Sequence, residues 1–428
     1  MTKCSPADLS EFTLPDLETI ATESGLITRN SSKFSASEFL QSLLSAVVTG
    51  KASLNQIAAE MGHRIGHSLS KQALSMRFDD ASTSFLTAVL YQLLLQPVRV
   101  AASKLNSSIF KRVLIEDSSF CPMDCGNAVD FPAHGNGKVA TAGVKIDLAY
   151  DLRTADIHSM SLHHATQQDK TLGKDLVDTL SPGDLILRDM GYFVIAEFAR
   201  IEELGAFWLS RLPVHTKVVL SDERRLEEVL KHSKEHTLDL DVTISNAGHA
   251  CRLIAVRAKK SVCRQRRKER KKAAESKGKL KSVVGSVGWV RDGWHLLLTN
   301  TESRDASAEI LVAVYRVRWD IEIQFRGWKQ SMKLDQALSR KSSEPHLMAL
   351  ILAAMIHQIL SLKIRSRFEA TLQRGQLSIE KLCDLLGRHH LKMKRFESIV
   401  MFNPDRRHIK KDKRKRSIPV KQGLTALD

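Results

Sequence analysis

The chain has 428 residues, 43% of them hydrophobic and 26% charged, which supports two or three packed domains and excludes a disordered polymer. Lys and Arg outnumber Asp and Glu by 65 to 48, a net charge of +17. Such a surface suits a polyanionic partner, with nucleic acid ahead of an anionic membrane.

Met1 to Asp16 is polar and acidic rather than basic and then apolar, unlike a signal peptide, so a cytoplasmic protein is predicted. Residues Ser35 to Gln96 carry helical apolar periods and no strand-like run. They predict a helical N-terminal domain over residues 1–104. Within it Ser53 and Gln56 have capping-box spacing at the head of a helix through Met61, Gly62 to Ser68 reads as a loop, and Ser70 can cap a helix from Lys71 to Phe78. Helix, turn and basic helix suggest a helix-turn-helix with Lys71, Gln72, Ser75 and Arg77 facing the groove. An ordinary helical bundle has the same pattern.

The pattern changes after Lys104. Lys111 to Asp117 reads as a buried strand ending on an acid, and Val144 to Leu152 with Ile157 to Leu162 as a hairpin. A helix from Thr171 to Leu180 is broken by Ser181-Pro182-Gly183, and Asp184 to Asp189 is a second apolar strand ending on an acid, followed by a helix from Val194 to Leu204. This is a mixed α/β layout. An acid at a strand end usually caps a turn. Two of them on neighbouring strands can converge with a third carboxylate, and such a cluster needs a divalent cation to offset its repulsion. Hard cations such as magnesium take these oxygen ligands. Glu116 should point to the other face of its strand by period-two alternation and is left out of the site.

Between Leu212 and Gly293 the α/β rhythm stops. Lys217 to Leu220, Leu238 to Ile244 and Arg252 to Ala258 read as strands, Val283 to Val290 as a weaker one, and His295 to Thr299 as the return to the core. The segment is predicted to be a mainly β insertion. Its run from Lys259 to Lys281 includes Arg264, Arg266, Arg267, Lys268, Arg270, Lys271 and Lys272, opposed only by Glu269 and Glu275, and suggests phosphate contact. A second basic cluster lies between Arg406 and Arg416. The most apolar stretch, Leu347 to Leu362, holds His357 and Gln358 and is shorter than the ~20 residues a bilayer requires, so a buried helix and no membrane partner are expected. The six cysteines, Cys4, Cys121, Cys125, Cys251, Cys263 and Cys383, lack the paired spacing of a zinc site and are read as free thiols.

The segment Tyr315 to Lys329 reads as a helix. At about 100° per residue Tyr315, Arg318, Glu322 and Lys329 share an arc of roughly 60°, joined by Arg326, while Ile310, Val317, Ile321 and Trp328 lie opposite. A solvated charged face would look the same in isolation.

With Asp117-Ser118-Ser119 and Asp189-Met190-Gly191-Tyr192 before it, this helix resembles the bacterial DDE transposases of the insertion-sequence-four family. Their Tyr-x2-Arg-x3-Glu-x6-Lys signature is matched at Tyr315, Arg318, Glu322 and Lys329. The resemblance spans residues 35 to 365. It implies a ribonuclease H-like α/β catalytic core in two parts, 105–212 and 294–345, separated by the insertion 213–293 and followed by a C-terminal helical region with a basic tail, 346–428. It implies that Asp117, Asp189 and Glu322 hold two magnesium or manganese ions. Arg318, Lys329 and Arg326 would contact DNA phosphates, Tyr315 the backbone near the element end, and Trp294 a flipped base. The implied activity is cut-and-paste transposition of double-stranded DNA by a homodimer bound to terminal inverted repeats. A catalytically silent DNA-binding protein and a different ribonuclease H-like nuclease are the competing readings.

Overall fold

Ser35, Ser53 and Ser70 cap three of the N-terminal helices in the computed structural model, which describes residues 15–29, 33–95, 110–135, 140–151, 156–244, 248–276, 282–318, 333–371, 376–377 and 409–410. The chain divides into two compact units. Met1–Lys104, Ser118–Gln167 and Trp319–Ser417 form unit 1; Leu105–Asp117, Gln168–Arg318 and Ile418–Asp428 form unit 2.

In unit 1, helices α1 (Leu17–Glu23), α2 (Ala36–Thr49), α3 (Leu54–Ile65), α4 (Lys71–Ser75) and α5 (Asp80–Leu95) follow in order. Ser35 with Glu38 and Ser53 with Gln56 close reciprocal capping boxes, each satisfying two backbone donors that the first helical turn leaves open. Two sequence expectations need correction here. α3 runs on to Ile65, because Gly62 stays helical where a Cβ would crowd the His67 carbonyl, and the turn falls at Gly66 with φ +77°. α4 stops at Ser75, since Arg77 and Phe78 bond back to Leu74 and Ser75, three residues away, and so tighten out of α geometry.

A long helix, Glu344–Thr371, packs on α2 and α5. By length and composition it could cross a membrane, yet every side chain from Ala349 to Ile364 is buried inside the fold. Also in unit 1 are strands β2 (Pro132–Ala133), β3 (Thr141–Asp151) and β4 (Asp156–His164). The predicted hairpin is present, antiparallel from Val144 opposite His164 to Asp151 opposite Asp156. Gly143 lets β3 approach its neighbour closely, because a Cβ there would overlap the Phe120 ring.

His346 is buried against Phe78, with ring centroids 4.5 Å apart. Burial pushes its pKa down to about 4, weakly opposed by the Ala52 backbone. Because the folded value lies below the unfolded one, the unfolded chain binds the extra proton first, so stability is lost as pH falls from about 6.5 to 4 and is retained above that window. The contribution is about 3 kcal/mol. His346→Leu is expected to flatten this part of the stability curve, as urea melts at pH 7 and pH 4.5 would show; equal slopes for both proteins would refute it.

In unit 2 the strand order is β1, β5, β6, β10, β9, β8, β7. β1 spans Val113–Met123, of which the first five residues belong to this unit. Its pairing with β5 (Leu185–Arg188) is parallel, as is that of β5 with β6 (Phe207–Arg211). Helices α6 (Asp169–Val177) and α7 (Ile195–Glu203) supply the connections that parallel strands require. All four β5 residues are buried, as expected of a strand covered on both faces. Asp117 does not end its strand, as the sequence suggested: β1 continues six residues beyond it.

The remaining strands, β7 (Val218–Leu220), β8 (Thr237–Ile244), β9 (His249–Arg257) and β10 (Trp294–Thr299), pair antiparallel and extend the same sheet from β6. This segment also forms helices α8 (Leu226–His232), α9 (Lys260–Glu275) and α10 (Val287–Arg291). The weak strand expected over Val283 to Val290 is replaced in part by α10, whose Ser286 cap accepts from the Trp289 backbone N–H. Two buried arginines brace the region. Arg252 pairs with Asp239 and donates to the Thr301 and Ala306 carbonyls. Arg291 pairs with Glu227 and donates to the carbonyls of Pro213, Val214 and Thr216.

Candidate active site

The register of β1 against β5 sets Val113, Leu114 and Ile115 beside Leu185, Ile186 and Leu187. β1 runs on through Asp117 and β5 stops one residue before Asp189, so the same register carried two residues further would set the two acids side by side, at the spacing of about 4.8 Å between paired strands. Asp189 keeps an extended backbone, φ −88° and ψ 173°, just after β5. Both side chains are partly exposed, 23% for Asp117 and 31% for Asp189.

Helix α11 (Ala308–Val317), capped by Ser307, brings two more groups to these acids. Arg318 donates from Nη1 to Asp117 Oδ2 at 3.1 Å. The Tyr315 hydroxyl donates to the Arg188 carbonyl at 3.0 Å, and its pKa is raised by burial first and then by the nearby Asp189 charge. A group the sequence did not single out completes the arrangement. Arg211, paired one step beyond the Arg188–Ser210 register, stands 3.5 Å from Asp189 Oδ1. His295, on β10, is held at about 4 by partial burial and by the guanidinium groups of Arg266, Arg211 and Arg316, so it is neutral at physiological pH.

A profile of the family described as Transposase DDE domain matches residues 109–357, more than half of the chain. The chain belongs to the DDE transposase family. It is 26% identical over 377 residues to the transposase for insertion sequence element IS231B of Bacillus thuringiensis subsp. berliner, covering 82% of this chain and 77% of that protein. The transposase for IS231F of Bacillus thuringiensis subsp. israelensis is 27% identical over 383 residues, with 84% and 80% covered. That for IS1151 of Clostridium perfringens is 25% identical over 376 residues, with 82% and 78% covered.

Beneath the two acids the transposase carries a buried ionic group that period-two alternation foreshadows but does not identify. Glu116 and Arg188 each precede one of the acids, so alternation turns them to the opposite face, and both are fully buried and paired with each other. Arg188 Nε lies 2.7 Å from Glu116 Oε2, its Nη1 pairs with Glu197 of α7, and its Nη2 donates to the Gly173 carbonyl of α6 at 2.7 Å. Gly173 is required by this packing, since a Cβ there would press on the guanidinium. The signal available in the sequence was a charged residue inside each of two otherwise apolar strands.

The other expected positions of the transposase divide as follows. Glu322, Arg326 and Lys329 lie outside the described residues. Trp294 is 3% exposed, with the Arg257 guanidinium 4.4 Å from its ring centroid. In unit 1, Lys71 and Gln72 are exposed on α4, while Arg77 is half-buried with its guanidinium 5.4 Å from the Phe34 ring. Cys125, Cys251 and Cys263 are free thiols, and burial pushes Cys251 up to about 12. Among the described residues no three His, Cys, Asp or Glu side chains come together as a metal site.

Proposed function

We propose that this DDE transposase belongs to the insertion-sequence-four branch and performs cut-and-paste transposition, binding terminal inverted repeats as a homodimer. The observation that carries the reading is the parallel pairing of β1 with β5, the strands that lead to Asp117 and Asp189, with Arg318 bonded to Asp117 and Tyr315 of α11 bonded to the Arg188 carbonyl. A ribonuclease H-like core is supported by the parallel β1, β5 and β6 together with the β3–β4 hairpin.

The donor set fits a hard divalent cation. Asp189 Oδ1 is buried without a hydrogen-bond partner, and each acid has a guanidinium at ion-pair distance, the environment of carboxylates that need positive charge. Asp117 and Asp189, with Glu322 as the third ligand, would hold two magnesium or manganese ions. The chemistry such ions supply is activation of water or of a DNA 3′-hydroxyl and stabilisation of the leaving oxygen in an in-line displacement.

The chain's own residues do the rest. Arg318, as a planar fork, exchanges its Asp117 contact for a DNA phosphate, and Lys329 and Arg326 contact phosphates beside it. Tyr315 fixes α11 to the end of β5, one residue before Asp189. Lys71, Gln72 and Arg77 read DNA from the helical N-terminal domain, with Arg77 first releasing Phe34. A base-stacking role for Trp294 carries a condition: Arg257 must withdraw from its ring.

The test uses purified full-length protein, duplex DNA bearing the element's own ends, and magnesium. Cleaved ends joined to a target duplex support the proposal. Tight binding with no cleavage under magnesium or manganese would make the chain a silent DNA-binding protein, and cleavage without joining would make it a nuclease.

A further inference from the structure

Helix α9 contains no buried residue, although it spans 16 residues and is among the most basic segments of the chain. Apart from Lys271, which is exposed with its ammonium 5.4 Å from the Trp289 ring centroid, its cations fall into two groups. Arg266 donates to the Trp294 carbonyl at 2.9 Å and contacts His295 Nδ1 at 3.2 Å. Arg267 donates to the Trp289 carbonyl and lies 4.7 Å from that residue's ring centroid. Arg270 forms a two-pronged pair with Asp292 at 2.7 and 2.9 Å. All three are half-buried. They are used up in holding α9 to α10 and β10.

Arg264, Lys268 and Lys272 repeat at every fourth residue on the outer side, with Lys260 at the head of the same row, and all four are exposed. Successive members lie about 6 Å apart along the axis, so the row covers about 18 Å, the axial length of about five phosphates of one DNA strand. Among the described residues no carboxylate pairs with any of the four; Glu269 lies on the flank, where Gln265 donates to it at 2.6 Å. The exposed side has no large apolar side chain that could enter a membrane: its other residues are Ser261, Gln265, Glu269, Lys271, Ala273 and Glu275.

We propose that this outer row of α9 is a contact for the phosphate backbone of duplex DNA, whereas Arg266, Arg267 and Arg270 are structural struts. The inference rests on the transposase reading and assigns it a non-specific binding face. Fixing the helix through one set of arginines costs the other set no freedom and holds it as a rigid charged rod.

The experiment measures equilibrium binding of full-length protein to a duplex of arbitrary sequence as salt is varied. Replacing Arg264→Gln, Lys268→Gln and Lys272→Gln together should make the slope of log affinity against log salt shallower by about 2.7, at about 0.9 per lost phosphate contact. Between 50 and 200 mM salt that amounts to about a 40-fold smaller loss of affinity. Lys170→Gln, Lys174→Gln and Lys231→Gln, exposed cations elsewhere in unit 2, remove the same charge and should leave the slope close to that of the parent. Melting temperature should not change in either triple variant. Equal slopes for the two triples would overturn the α9 assignment alone; a parent protein whose duplex binding ignores salt would overturn the transposase reading with it.

Discussion

Asp189→Asn is expected to lower end cleavage by about 10³-fold or more, because it removes one of the charged oxygens proposed to hold the divalent ions. The same change should leave folding nearly untouched. Asp189 Oδ1 has no hydrogen-bond partner among the described residues, and Arg211, which lies 3.5 Å from it, is 39% exposed and can turn to water. DNA binding should be equal or tighter, since a negative charge is removed beside Arg211, Arg318 and the DNA they would contact. Single-turnover cleavage, duplex binding and a thermal melt separate these effects. Cleavage within tenfold of the parent protein would remove Asp189 from the site, and a large fall in melting temperature would make its role structural.

Arg188→Met is expected to destabilise the protein by about 3–5 kcal/mol, the scale for removing one partner of a buried ionic group. Glu116 is fully buried and Glu197 is 12% exposed, so the substitution leaves two carboxylates facing each other across an apolar gap. Removing the acid as well, as Arg188→Met with Glu116→Leu, should recover a large part of the loss. Urea melts of the two single variants and the double would give the coupling directly. Simple additivity would mean that the group does not act as a unit. Activity should fall with Arg188→Met even at temperatures where the protein stays folded, because Arg188 precedes Asp189 and its carbonyl accepts the Tyr315 hydroxyl.

The sequence by itself determined the positions of the two acidic strands, the hairpin and the serine-capped helices. Alternation and capping are local rules, so they survive without a partner in view. It also separated Glu116 from Asp117, because period two sends neighbours to opposite faces. Local rules failed where an element's end depended on another segment. β1 runs past Asp117, and α10 forms where a weak strand was expected, because pairing and packing with distant residues outweigh a short run's own preference.

What only the tertiary structure decided is the fate of each arginine. In the sequence, Arg252, Arg270 and Arg291 are indistinguishable from the cations that give the chain its net charge. In the fold each meets a carboxylate from another element, as Arg291 meets Glu227 and Arg252 meets Asp239 on the neighbouring strand. A guanidinium is apolar enough in its stem and rich enough in donors to be buried when several acceptors converge on it. Whether they converge depends on which strands lie side by side, and that is a property of the sheet rather than of any stretch of chain.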